Sequence, residues 1–335
     1  MEIKEIGKEG LLERLRKPFE ERSETPRTAI GGPHQATEIG KEGLSSSVLL
    51  MEGVDFDLVY FPLGYLGFKA VTSAVSGLYA EGGKAAGLSI VLAISQRFQV
   101  EDVEFFMKGV REACAFYGTE LRFLDITSSL TGFAISVTAF GEKGAAVTGS
   151  PKANELLCVT GDLGAAYMGL QLMVREKGAF DSSIDFQPDF GGREYILERQ
   201  LKPALPVALL GQIEALKLPL SSLTVLKEGL TNSLVRLSRE SGIGVRIYEK
   251  ALPIDFQTAR MAEDFGLDPA FVAMHGGEDF QYLFTVPVTE KEKVDALEGV
   301  TAIGFTTEAT EGLTLVGRSG GATPIRPDDL TTAND

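Results

Sequence analysis

Carboxylates, hydroxyls and backbone are the groups with which this chain could do chemistry. Its 335 residues hold two histidines, His34 and His275, and two cysteines, Cys114 and Cys158, too few for a histidine-based zinc site or a Ser-His-Asp arrangement. Both cysteines sit in apolar runs, where a thiol behaves as a small buried hydrophobe. Among the acidic groups, Asp125 lies in Phe123-Leu124-Asp125-Ile126, beside Thr127, and reads as a turn aspartate that caps backbone before a strand. Glu228 precedes Gly229 and a predicted helix, where a carboxylate favours the positive end of the helix dipole. Gly276-Gly277-Glu278-Asp279 joins two carboxylates to glycines that permit an unusual backbone path, which suits a ligand-facing turn at the mouth of a cleft. The run Ser45, Ser46, Ser47 reads as a flexible loop or as hydroxyls touching a phosphate. Gly161 to Gly164 lacks the Lys and Ser/Thr of a Walker motif and reads as a tight strand-to-helix turn.

The elements that must position these groups alternate. Strands are predicted at 48–51, 88–95, 133–140, 156–160, 244–249 and 281–286, and helices at 63–79, 99–118 and after Gly161-Asp162-Leu163-Gly164 to about Lys177. In the second helix Val103, Phe106, Met107, Val110, Cys114 and Tyr117 recur at helical spacing and Gly118 offers a stop. Phe133, Ile135, Val137 and Ala139 keep the period of a half-buried strand. Such alternation predicts a mixed α/β (α+β) class, and the length predicts two domains: an arm and loop over 1–47, an α/β domain over 48–150 and a second over 151–335.

A net charge of −15 opposes binding to a phosphate backbone, so no nucleic-acid partner is expected. The longest apolar runs, Leu88 to Ser95 and Phe133 to Phe140, fall short of the roughly 20 residues of a membrane helix. Met1 to Arg16 carries alternating charge with no leader-like apolar segment, and a cytoplasmic location follows. Ile39 to Leu44 repeats Ile6 to Leu11 letter for letter; two copies do not make a repeat architecture.

Five segments, in order, resemble the thiamine-monophosphate kinases of the aminoimidazole ribonucleotide synthetase-like superfamily: Met51-Glu52-Gly53-Val54-Asp55-Phe56, Leu63 to Ala70, Asp125-Ile126-Thr127-Ser128, Val159 to Gly164, and Gly276-Gly277-Glu278-Asp279-Phe280. The resemblance implies a two-domain fold whose N-terminal sheet is completed by dimerisation. It implies transfer of the γ-phosphate of ATP to thiamine monophosphate, giving ADP and thiamine diphosphate, with magnesium ions bridging phosphates to aspartates. That is what phosphoryl transfer requires, since it needs charge neutralisation and positioning more than covalent help. By the same resemblance Ser46, Ser47, Thr127 and Lys227 are expected at nucleotide phosphates, Asp55, Glu278 and Asp279 at the substrate, and Asp125 and Glu228 at a metal ion.

The sequence departs from that pattern where its carboxylates should stand. Gly31-Gly32-Pro33 replaces a Gly-Asp-Asp motif, Ser47-Val48 a Thr-Asp, Ser76-Gly77 a Ser-Asp, and Val225-Leu226-Lys227-Glu228-Gly229-Leu230 an Asp-x-Ser-Asp-Gly-Leu. Thr148 takes the place of a nucleotide-facing arginine, Asp55 of a histidine, and Gln281 of a glutamate. Two functions follow as expectations: a kinase with a reduced metal site and impaired or absent catalysis, or a non-enzymatic dimeric paralogue that binds or regulates. Either way the expected partners are a second copy of the chain, ATP and thiamine phosphate. Magnesium-dependent nucleotide binding discriminates the two.

Overall fold

A computed structural model describes residues 10–12, 14–15, 35–39, 43–144, 147, 149–182 and 191–326. Its central element is helix α1, Leu63–Ala80, in which every residue from Leu66 to Tyr79 is buried. A helix apolar nearly all round has no face to give to water, and α1 is accordingly covered on every side. Helix α2, Val100–Tyr117, packs against it; its start is a capping box between Gln99 and Asp102, and Gly118 ends it in the left-handed region. The two backbones touch at glycines. A Cβ on Gly67 would lie 2.1 Å from the Phe106 carbonyl oxygen, and one on Gly109 would lie 1.7 Å from that of Gly64.

Beneath these helices lies a five-stranded sheet built from β1 (Thr37–Ile39), β2 (Gly43–Met51), β3 (Lys84–Ile94), β4 (Leu121–Ser128) and β5 (Phe133–Glu142), in the order β1-β2-β5-β3-β4. Only β3 and β4 run parallel, joined by the crossover helix α2 as a parallel pair requires. Alternation sets the faces: Leu44, Ser46, Val48 and Leu50 of β2 point to α1, while Leu49 and Met51 point outward.

The second sheet has seven strands: β6 (Glu155–Thr160), β7 (Ser222–Leu226), β8 (Ile243–Tyr248), β9 (Gln281–Pro287), β10 (Val300–Glu308), β11 (Leu313–Val316) and β12 (Ala322–Pro324), in the order β12-β11-β8-β10-β6-β9-β7. The helices of this half are α3 (Ala165–Ser182), α4 (Glu194–Leu201), α5 (Val207–Ala215), α6 (Leu230–Ser241), α7 (Phe256–Asp264), α8 (Pro269–His275) and α9 (Lys291–Asp295). One apolar core runs unbroken from Leu50 and Ile90 of the first sheet, through Val71 and Leu78 of α1, to Val225, Tyr282 and Phe284 of the second. A separate core, with Val159, Leu234, Ile247 and Ala273, fills the far side of the second sheet.

Three expectations need correction. Ser45 to Ser47 are not a loop: β2 starts at Gly43, because residues 43–51 alternate inward and outward along a paired strand. Asp125 is not in a turn but midway along edge strand β4, whose eight residues are all exposed. The strands expected to need a covering partner, 88–95 and 133–140, are interior ones flanked on both sides; the open edges belong to β1 and β4. Of the second copy of the repeated hexapeptide, Ile39 ends β1 opposite Gly43, which with Leu44 begins β2. Gly31, Gly32, Pro33, His34 and Thr148 lie outside the described residues, and the expected division near residue 150 falls between β5 and β6.

Candidate functional site

The buried helix α1 carries one charged side chain, Lys69. An ammonium group inside a protein must be paired, and Lys69 donates to Glu278 Oε2 at 2.6 Å and to the Gln200 carbonyl oxygen at 3.2 Å, with the Phe61 ring 5.1 Å below it. Glu278 reaches α1 from the turn between α8 and β9. That turn is held by main-chain bonds from Glu278 N–H to the Lys227 carbonyl, 2.7 Å, and from Phe280 N–H to that of Leu226, 2.9 Å. Glu278 and Phe280 have φ of 64° and 52°, a region that side chains with a Cβ occupy at a cost of about 1–3 kcal/mol each and mostly at functional positions. Gly277 is required here, since a Cβ would stand 2.8 Å from the Lys227 carbonyl oxygen.

The Gln200 side-chain amide also donates to Glu278 Oε2, at 3.2 Å. Oε1 accepts no hydrogen bond among the described residues, and the side chain is 31% exposed, so one carboxylate oxygen faces outward. Burial pushes the Glu278 carboxyl up, but Lys69 and Lys227 outweigh it and hold it below the ordinary range. Lys227, half-buried at the end of β7, is pushed down to about 8 by burial, against the pull of Glu278, Asp55 and Glu228. Asp55 closes its own turn, its Oδ2 accepting from Met51 N–H at 2.8 Å, and Asp57 pairs with Lys177 at 2.6 Å. Lys227 thus feels carboxylates from both halves of the chain, Asp55 from the first and Glu278 from the second.

Other expected site residues lie elsewhere. Asp279 points away from its neighbour Glu278: its oxygens accept from Gly164 N–H at 2.8 Å and Ala166 N–H at 3.4 Å, and Arg199 lies 3.8 Å away. It caps α3, and burial pushes it up to about 6. The turn it caps is the tight connection from β6 to α3, with Gly161 and Gly164 at φ of 57° and 88°. Ser46 is buried beneath α1, while Ser47 bonds Thr138 across the outer face at 2.8 Å. Asp125 and Thr127 share that outer face with Ser47, but β5 and β3 intervene, a separation of about 14 Å at ordinary strand spacing. Asp125 Oδ1 accepts from Ile126 N–H at 2.8 Å. Glu228 is exposed and lies 3.4 Å from Arg236. Sequence reasoning missed Lys69, Gln200 and Arg199; a lone lysine in an otherwise apolar helix was the signal available for the first.

Residues 37–142 match the family described as AIR synthase related protein, N-terminal domain. The thiamine-monophosphate kinase of Aquifex aeolicus is 29% identical, the match covering 95% of this chain and 97% of that one. Residues 37–142 are thus similar to the AIR synthase related N-terminal domain, and nearly the whole chain to a thiamine-monophosphate kinase. The Bacillus subtilis thiamine-monophosphate kinase is 26% identical over 87% of this chain and 91% of its own. The solved structure of AaThiL complexed with AMPPCP and TMP superposes with a TM-score of 0.80 at 27% identity, over 98% of this chain and 97% of that one. The described residues do not fit a magnesium cluster. Val48 and Val225 are packed in the common core and Gly77 faces Ser46, while Asp125 stands on β4 of the first sheet and Glu228 in the connection after β7 of the second, and no three His, Cys, Asp or Glu among the described residues converge.

Proposed function

We propose that this protein is thiamine-monophosphate kinase-like, keeping the relatives' binding fold for ATP and thiamine phosphate while transfer of phosphate to give ADP and thiamine diphosphate is impaired or absent. One observation carries the reading: the side chains at 48 and 225 are apolar and buried, so the carboxylates that phosphoryl transfer needs for its metal ions are missing from an otherwise intact scaffold. The relatives' names support the ligand class. The protein acts in the cytoplasm as a homodimer, in keeping with the absence of any described helix long and apolar enough to cross a membrane. The outer face of the first sheet, where Leu49 and Met51 of β2, Phe140 of β5 and Phe123 of the open edge strand β4 are exposed, is the surface a second copy would cover.

The deciding assay is thiamine diphosphate formation from purified protein, ATP, thiamine phosphate and magnesium. Turnover near background is expected, and a rate within tenfold of about 1 per second, ordinary for a kinase, overturns the reading. Light scattering is expected to give twice the 36.0 kDa chain mass, and a clean monomer removes the dimer.

A further inference from the structure

Asp279 points away from Lys69, yet it is built into the turn that delivers Glu278 there. Of residues 278–280 the outer two are held by main-chain bonds, Glu278 N–H to the Lys227 carbonyl at 2.7 Å and Phe280 N–H to that of Leu226 at 2.9 Å, and both sit at positive φ. The middle residue is held by its side chain: the buried Asp279 accepts from Gly164 N–H at 2.8 Å and from Ala166 N–H at 3.4 Å. One helix receives both carboxylates. Arg199 of α4 lies 3.8 Å from Asp279 Oδ1, and the next residue, Gln200, donates to Glu278 Oε2 at 3.2 Å. A residue with a Cβ stays at positive φ only while its surroundings hold it there. Returning Glu278 to negative φ would swing its carboxylate off Lys69.

We infer that Asp279 is a positioning residue: by pinning the middle of this turn to the start of α3, it keeps Glu278 at positive φ, bonded to Lys69 and with Oε1 directed outward. It acts through Glu278 and not by touching a ligand. The inference goes beyond the proposed function and uses none of its ligands, so the two stand or fall separately.

The Glu278 carboxyl reports its own position. Burial pushes it up, and Lys69 of α1, Lys227 at the end of β7 and the Gln200 amide of α4 together hold it below the ordinary range. Asp279 faces Arg199 of α4, Asp162 of the connection before α3 and the two N–H groups, and burial pushes it up to about 6. Asp279 is therefore already neutral where Glu278 titrates, and a neutral replacement alters no charge there.

Two measurements on the full-length protein test the inference. Carbon-13 NMR follows the Glu278 carboxyl through a pH titration. In Asp279→Ala it is expected to move up to the ordinary carboxylate range as it leaves Lys69, whereas Asp279→Asn, which keeps an acceptor oxygen for α3, is expected to match wild type. An unmoved Glu278 titration in a folded Asp279→Ala protein overturns the inference, and so does an equal shift in Asp279→Asn. The reciprocal measurement is amide hydrogen exchange in Lys69→Met, where Gly164 and Ala166 are expected to exchange about tenfold faster relative to the amides of β5. Unchanged protection of Gly164 and Ala166, or the same acceleration throughout the chain, overturns it. If Asp279→Ala does not fold, the exchange measurement decides alone.

Discussion

Lys69 donates to Glu278 at 2.6 Å, and the two differ in exposure, with side chains 4% and 31% accessible. The bond ties the helix under the first sheet to a turn of the second, and its two ends are unequal. Breaking a buried pair leaves an uncompensated charge worth about 3–5 kcal/mol. Glu278→Ala, which orphans the buried lysine, should fall in that range. Lys69→Met, which leaves the partly wetted carboxylate, should cost visibly less, and the double variant should recover part of the loss. Urea denaturation checks this, and equal costs for the two single changes would contradict it.

Gly77 has no room for a side chain. Its Cβ would lie 2.3 Å from Ser46 Oγ and 2.8 Å from Ser46 Cβ. Gly77→Ala should cost about 1–3 kcal/mol through overpacking, and Gly77→Asp more, because it also buries a charge. Ser46→Gly should relieve the alanine variant and leave the aspartate variant unstable. Melting temperatures of the four proteins test this; a Gly77→Asp protein as stable as wild type would show that the helix can withdraw from the strand.

Burial holds Lys227 near 8, below its usual 10.5, so at neutral pH the charged lysine weighs against folding. Between those values the unfolded chain binds more protons than the folded one, and stability rises with pH. Lys227→Met should therefore stabilise the protein at pH 7, with the gain over wild type shrinking from pH 8 to 10.5. Denaturant midpoints at pH 7, 9 and 10.5 measure it, and a constant difference rejects it.

Asp279 behaves in the opposite window. Its carboxyl is raised by burial from 3.8 to about 6, so between those values the folded state holds the extra proton and wild type loses stability as pH rises. Asp279→Asn lacks that slope. The wild-type minus variant stability should fall from pH 4 to 6 and then level off, and a flat difference in urea midpoints across that range would refute it.

Much of this architecture was legible because local patterns and packing agree. The apolar spacing of 99–118 and the alternation of Phe133, Ile135, Val137 and Ala139 survive as α2 and β5 nearly to the residue. Edge strand β4 was missed because exposure on both faces removes the alternation that marks a strand. The serine run was misread because a hydroxyl on an inner face, that of Ser46, looks like a loop until Gly77 is seen lying over it. Glu278 and Asp279 are adjacent letters with opposite destinations. Positive φ at 278 sends one to Lys69 and the other to the start of α3, a divergence that no spacing rule contains.

Helix α1 is shared. With its residues from Leu66 to Tyr79 enclosed and one apolar core running through it into both sheets, neither half owns the helix, and each would expose a greasy flank without the other. The connection between β5 and β6 can therefore be cut without creating two independent folding units, and heat should dissolve the whole protein in a single cooperative step.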